Sequence, residues 1–315
     1  MQELVSIHPL QPSYLEEVSR LLASELHADF ISPWTLVHKV LLDKNFSPES
    51  TLVAKVGNRI VGFMHGISEH HPPESAELDA KHGWITLMAV DHHYQRQGIG
   101  GKLLERIIAY LKRQKVKSVW VSTYAPNYFW PGVDEAAYPA AIAFLKKHDF
   151  EIVTRPLAME ACLSNFSIPA DILSWEEALA SQGVRICPIK PEYVPGLLDF
   201  IEREFGSDWQ RLARESVIEI CKDQLSPSNM FIAIANEKCV GFCRHEGERF
   251  GPLGVTQQER GKGIGSILLF RCLEAMKAKG FSKAWMMWTN DRTAKFYAKA
   301  GFQETRRFSV MKRDL

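Results

Sequence analysis

The chain has 315 residues, 46% apolar and 24% charged, with 38 basic against 37 acidic residues and a formal net charge of +1. That length suggests about two domains, and the composition is ordinary for a globular protein. The near-neutral balance excludes the bulk positive field of a nucleic-acid or anionic-membrane binder, and no apolar run approaches the roughly 20 residues of a membrane span.

The N-terminus, Met1-Gln2-Glu3-Leu4-Val5, carries no signal-peptide core. A short strand is expected at Leu4–Ile7, then helix-patterned segments. Two strands follow, Thr51–Val56 and Ile60–Ile67, joined by the turn Gly57-Asn58. A strand at Trp84–Val90 runs into Asp91-His92-His93-Tyr94-Gln95-Arg96-Gln97-Gly98-Ile99-Gly100-Gly101. The next segment places Leu103, Leu104, Ile107, Ile108 and Leu111 at the 3.6-residue period of one buried helix face. A β-rich run at Ser118–Tyr124 precedes the aromatic stretch Tyr124–Asp134, another helix and a terminal strand. Residues 164–183 read as a structured linker, in which Ser174-Trp175-Glu176-Glu177 looks like a capping box opening a short helix.

The same order then repeats. Strands are expected at Val184–Ile189, Met230–Ala235 and Cys239–His245, with a turn near Asn236-Glu237. Gly251–Val255 leads into Thr256-Gln257-Gln258-Glu259-Arg260-Gly261-Lys262-Gly263-Ile264-Gly265-Ser266. A helix follows with Leu268, Leu269, Cys272, Leu273 and Met276 on one face, ended by Gly280. In the strand Lys283–Thr289, the run Trp285-Met286-Met287-Trp288 reads as buried on both faces. Ile7 aligns with Ile186, and Gly62 with Gly241, at a constant spacing of 179 residues. Gly98 aligns with Gly263 at 165, and Phe150 with Phe302 at 152. The first half therefore holds 14 extra residues near Ser68 to Lys81 and 13 near Asn127 to Pro139. The sequence divides into residues 1–163, a linker 164–183 and residues 184–315. Strands alternating with helices predict a mixed α/β sheet in each half.

Strand, Gly-x-Gly and helix together build an anion cradle. Glycine admits close backbone approach and left-handed dihedrals, and a helix start offers unpaired N–H groups at the positive end of its dipole. Neither copy completes the Gly-Lys-Ser/Thr of a Walker loop, and neither completes G-x-G-x-x-G. Gln or Arg, two residues, Gly, one residue, Gly resembles the pyrophosphate-binding signature of the GNAT superfamily of acetyl-CoA-dependent N-acetyltransferases. The resemblance covers nearly the whole chain, once per half.

It implies two tandem GNAT-like α/β domains, acetyl-CoA as cofactor, and transfer of acetyl to a primary amine by direct attack in a ternary complex. The cofactor would be held by Gln95, Arg96, Gln97, Gly98, Ile99 and Gly100, and by Arg260, Gly261, Lys262, Gly263, Ile264 and Gly265. The family's motif strand carries a bulge and splays from its neighbour. Its exposed backbone groups pair with the pantetheine arm, here at Met88 and Val90, and at Leu253 and Val255. Asn290 matches the family's pantetheine contact, and Tyr297 its proton donor to the departing thiolate. In the first half Leu145 stands opposite Tyr297, so that half is expected to be degenerate or to use another acid, with Tyr124, Tyr128 and Tyr138 at hand. Glu246, Glu248 and His245 lie where members often place the base, and Glu246 is the candidate. The tandem arrangement is similar to that of the mycothiol synthases, with nothing in the residues to identify that substrate.

The acceptor is open between a small-molecule and a peptide amine, with neither nucleic acid nor membrane as partner, and oligomeric state is unreadable. The alternative is a non-catalytic coenzyme A sensor or scaffold. His70-His71 and His92-His93 lack the converging spacing of a metal site, so none is expected. The basic residues Arg306, Arg307, Lys312 and Arg313 read as a solvated strand face. The six cysteines form no C-x-x-C pair and mostly sit in apolar segments, as buried reduced thiols of a cytoplasmic protein would.

Overall fold

The structure is a computed structural model and describes residues 4–73 and 76–315. It divides into two compact units. Unit 1 comprises residues 4–73, 77–156 and 307–315, and unit 2 comprises Ala76 and Leu157–Arg306.

Unit 1 runs through β1 (Val5–Pro9), α1 (Leu15–Glu25), α2 (Pro33–Leu36), β2 (Thr51–Val56), β3 (Arg59–Ser68), β4 (His82–Val90) and α3 (Ile99–Arg113). It continues with β5 (Ser118–Val121), β6 (Val133–Asp134), α4 (Pro139–Lys147) and β7 (Glu151–Thr154). Strands β1 to β4 pair antiparallel in chain order, and β5 joins β4 in parallel. Period-two alternation sends Ala54 and Met64 to one face and Val53 and Phe63 to the other. The first face packs on Leu103, Leu104, Ile107 and Leu111 of α3, and the second on Val18, Leu21 and Leu22 of α1. Phe129 of the aromatic stretch joins the second cluster.

Unit 2 repeats the plan with β8 (Leu157–Cys162), α5 (Ala170–Ser181), β9 (Val184–Pro188), α6 (Val194–Phe205), α7 (Ser207–Cys221), β10 (Met230–Ala235) and β11 (Lys238–Glu246). Then come β12 (Arg249–Val255), α8 (Ile264–Ala278), β13 (Lys283–Thr289), α9 (Asp291–Ala298) and the start of β14 (Gln303–Asp314), which from Arg307 onwards belongs to unit 1. The strands of unit 2 lie in the order β8-β13-β12-β11-β10-β9. Helix α8 seals one face through Ile267, Leu268, Cys272 and Met276. Helices α6 and α7 seal the other, where Leu197, Phe200 and Ala213 meet Ile232 and Phe242.

Several sequence expectations shift. Each unit takes a strand from the other half of the repeat. Leu157–Cys162 pairs with β13, and the C-terminal part of β14 pairs with β5 and β7. The linker helix starts at Ala170 after Pro169, so Ser174 is interior, and its Oγ donates to the Ala170 carbonyl at 3.0 Å instead of capping. The run Ser118–Tyr124 stops at Val121 because Ser122 and Thr123 turn left-handed, with φ of 64° and 60°. Strand β13 is not buried on both faces: Trp288 is 46% exposed. Cys239, Cys243 and Cys272 are buried, whereas Cys162 and Cys221 are exposed. Lys312 pairs with Asp314, and Arg313 with Asp149. Among the described residues no helix is long and apolar enough to cross a membrane.

Candidate active site

Both motif strands are bulged and both lose a neighbour. In unit 1 the β3–β4 register steps from His65↔Leu87 to Gly66↔Ile85, leaving Thr86 extra. In unit 2 it steps from Cys243↔Leu253 to His245↔Phe250, so Arg244 faces both Gly251 and Pro252. Strand β4 keeps β5 only over His82–Ile85, and β12 keeps β13 only at Arg249↔Trp285. Beyond those points the strands part. The Asp91 N–H bonds the Val61 carbonyl and the Thr256 N–H that of Val240, both at 2.9 Å. Backbone groups alternate direction along a strand, so those of Met88, Val90, Leu253 and Val255 face the opened edge.

The helix behind each split begins at a left-handed glycine: Gly98 at φ 83° caps α3, and Gly263 at φ 92° caps α8. Arg96 and Gly261 are left-handed too, with φ of 62° and 83°. Lys102 N–H closes the first turn on Gly98 O at 3.0 Å, and Ile267 N–H on Gly263 O at 3.1 Å. The amides of residues 99–101 and 264–266 thus precede the helical ladder and are available to an anion. The buried Ile99 and Ile264 anchor each helix start in the core. The Gln95 amide donates to Val90 O at 2.9 Å and Arg260 Nε to Val255 O at 3.0 Å, tying each loop to its strand. Gln97 bonds back to His93 O, and Lys262 pairs with Glu259. A Cβ on Gly100 would stand 3.3 Å from Phe144, and one on Gly265 would stand 3.7 Å from Phe296. Phe144 and Phe296 therefore occupy corresponding places on α4 and α9.

One residue further on, the units diverge. Tyr297 packs against Phe250, Phe296 and Phe302, and burial pushes its pKa up to about 12, with nearby Cys243 adding to the rise. Among the described residues nothing hydrogen-bonds its hydroxyl. Leu145 at the matching position is fully buried apolar core. Asn290 caps α9, its side-chain oxygen accepting from Thr293 N–H at 3.0 Å. Its counterpart Tyr138 caps nothing: its hydroxyl donates to Asp29 at 2.7 Å. Tyr124 is locked in place, its hydroxyl accepting from Asn45 at 2.9 Å and donating to Asp43 at 3.1 Å, so its proton is already committed, and burial raises its pKa.

Glu246 sits at the β11–β12 turn, exposed and ion-paired with Arg244 at 2.8 Å. His245 is wholly buried, with Nδ1 donating to Gly247 O at 3.0 Å and Nε2 near Lys279 Nζ. Burial lowers its pKa to about 4, so it is a structural neutral imidazole. Glu248 contributes its carbonyl to Trp285 N–H.

Sequence reasoning passed over the residue opposite each bulge. His65 and Arg244 correspond at the 179-residue spacing, which was the available signal. Both are buried, and both carry a ring or guanidinium nitrogen without a partner: His65 Nε2 and Arg244 Nε. Thr51 Oγ1 spends its proton on Ser47 O at 2.8 Å, so His65 Nδ1 must donate to Thr51 across their 2.9 Å contact. That leaves Nε2 as a bare lone pair, and burial holds the ring neutral with a pKa of about 3. Unit 1 therefore presents an acceptor where unit 2 presents a cation.

Asp91, His92 and His93 bring possible ligand atoms within 4.8 Å of one another. The Asp91 oxygens already serve Arg59 and the His93 N–H, and His92 Nδ1 pairs with Glu25. His70 and His71 give their backbone N–H groups to Asn45.

The sequence profile described as the acetyltransferase (GNAT) family matches residues 17–129 and 194–302. No curated protein sequence matches significantly. Among solved structures, the glucosamine N-acetyltransferase region of a fungal multi-domain GH3 β-N-acetylglucosaminidase aligns over 99% of this chain at 19% identity and TM-score 0.79. The chain spans 38% of that protein. A GCN5-related N-acetyltransferase from Sphaerobacter thermophilus aligns over 98% of this chain and 95% of its own, at 15% identity and TM-score 0.74. A tandem GNAT protein from the clavulanic acid biosynthesis pathway aligns over 99% and 98%, at 15% identity and TM-score 0.63. These likenesses concern the fold, and they extend through both halves.

Proposed function

Because the chain belongs to the GNAT family of acetyltransferases, we propose that it transfers acetyl from acetyl-CoA to a primary amine, with unit 2 as the catalytic half. Coenzyme A fits the residues present: each helix start offers unpaired amides at a left-handed glycine, and each motif strand turns backbone groups to an opened edge. When bound, acetyl-CoA supplies an acyl group activated as a thioester.

The protein's part is to bind, orient and move protons. Amides 264–266 hold the pyrophosphate, with Arg260 bracing the loop on Val255 and Gly261 and Lys262 shaping it. Leu253 and Val255 align the arm by backbone hydrogen bonds, and Asn290 fixes the start of α9 beside it. With acetyl-CoA bound, the Tyr297 Oη–H would be the proton source for the departing sulfur. A pKa of about 12 keeps that proton in place until negative charge develops. The amine attacks directly, and Glu246 takes its proton through intervening water. The acceptor is a small-molecule or peptide amine, met in the cytoplasm.

The observation that carries this reading is the presence in one unit of a split motif strand, a left-handed cradle and a buried tyrosine whose hydroxyl is uncommitted. In unit 1 the non-catalytic reading is favoured, because Leu145 has no proton to give. Calorimetric titration with acetyl-CoA, followed by release of free thiol on adding a panel of amines, tests the proposal. Binding plus amine-dependent thiol release is expected. Binding without release from any amine would favour a sensor, and no binding would overturn the reading.

A further inference from the structure

The linker helix α5 puts a large apolar ring beside the cradle of unit 2. Ile172 and Leu179 sink into the core under α8, and Glu176 clamps Arg271 of α8 with contacts of 2.6 to 3.1 Å. Trp175 is turned away from that buried face and is 50% exposed. Its Cε3 stands 3.7 Å from the place a Cβ on Gly263 would occupy. Trp175 thus reaches the glycine that caps α8 without being consumed by the core. Unit 1 has no such neighbour: a Cβ on Gly98 would meet nothing within 4 Å.

The side on which Trp175 lies selects its ligand. Helix α5 packs on α8 and on β9, the outer strand of unit 2. The strand split lies on the other flank of α8, between β12 and β13. In coenzyme A the pantetheine arm and the adenosine leave the pyrophosphate at opposite ends. An arm running into the split sends the adenosine away from it, towards α5. A half-exposed indole at that point offers a π-face to a purine, and such stacking is sequence-tolerant and strong in water.

We propose that Trp175 is the platform for the adenine base of coenzyme A, so that the linker completes the cofactor site of unit 2 and leaves unit 1 without its equivalent. The inference rests on the coenzyme reading given above. A purine platform predicts discrimination between the whole coenzyme and its adenosine-free half.

The test is calorimetric titration of the full chain, wild type, Trp175→Ala and Trp175→Phe, with coenzyme A and separately with 4′-phosphopantetheine. Losing a base–aromatic stack weakens binding by roughly tenfold or more. Trp175→Ala should raise the Kd for coenzyme A by about that factor, Trp175→Phe should recover most of it, and the Kd for phosphopantetheine should not move. An unchanged Kd for coenzyme A in Trp175→Ala overturns the inference, as does a tighter one, which would make Trp175 a cover on the cradle. An equal loss for both ligands also overturns it, since the ring would then only support the loop. No binding of coenzyme A by the wild type would defeat the coenzyme reading itself, whereas wild-type binding with an indifferent Trp175 defeats this inference alone.

Discussion

Leu145 and Tyr297 stand at the same place on α4 and α9, one residue after phenylalanines that pack on equivalent glycines. Around that exchange the two units differ in a consistent direction. Unit 2 has a capped helix start at Asn290, a cation opposite its bulge and an indole beside its cradle. Unit 1 has Tyr138 engaged with Asp29, a neutral imidazole opposite its bulge and an aromatic stretch packed into its α1 face. Anion-cradle geometry survives in both because it is made of backbone and needs only glycine and a helix start. Proton donation of the kind proposed for Tyr297 needs a particular side chain, and leucine does not supply it.

The largest expected effect comes from the cradles. Gly263→Val forces a β-branched residue to φ 92°, a strain of order 1–3 kcal/mol on top of the blocked approach. The Kd for acetyl-CoA should rise about a hundredfold in unit 2, with turnover falling alongside. Gly98→Val imposes the same strain on unit 1 and should reduce turnover far less. Equal losses from the two variants, read by calorimetry and thiol release, would break the assignment of catalysis to unit 2.

Arg244 sharpens the contrast at the bulge. Arg244 is buried with its Nε unpartnered, and its ion-pair partner Glu246 is exposed and returns to water when the arginine is replaced, so removing the cation relieves its desolvation and strands no buried charge. Arg244→Met should hold or raise the Tm while lowering kcat/KM for the acceptor about tenfold, the scale of one hydrogen bond to a charged group. Unchanged acceptor kinetics would make the arginine a purely structural difference from His65.

A smaller effect follows from the buried imidazoles. His65 and His245 have pKa values pushed down to about 3 and about 4 by burial, from the ordinary histidine value of about 6.5. Below that value the unfolded chain binds protons that the folded chain refuses. The stabilisation is therefore whole above about pH 6.5 and is lost as pH falls towards the folded values. Thermal melts should show Tm falling between pH 7 and pH 5. His65→Gln should flatten part of that fall, and a slope identical to wild type would show that His65 takes up protons as readily in the fold as in the unfolded chain.

Much of this was legible in the chain. The hairpins, the helices carrying the cradle and the offset between halves follow from period, glycine placement and repetition, which are local signals. The strand taken by each unit from the other half was not legible, because Leu157–Cys162 and the end of β14 read as ordinary strands whichever sheet they join. The capping-box pattern at Ser174 misled because the same residues suit a helix interior once Pro169 starts the helix earlier. Trp285 to Trp288 looked like a doubly buried strand because hydrophobicity does not reveal that β12 departs after Arg249. In the candidate site, the glycines at the two helix starts were legible from spacing, whereas the positions of His65, Arg244 and Trp175 depend on long-range register and packing.

The most direct test of the central claim is single-turnover transfer by Tyr297→Phe, with acetyl-CoA binding measured on the same protein. General-acid removal costs about 10²- to 10⁴-fold. A rate reduced at least a hundredfold with unchanged Kd is the predicted result. A rate within a few-fold of wild type would contradict it and return Tyr297 to the core that surrounds it.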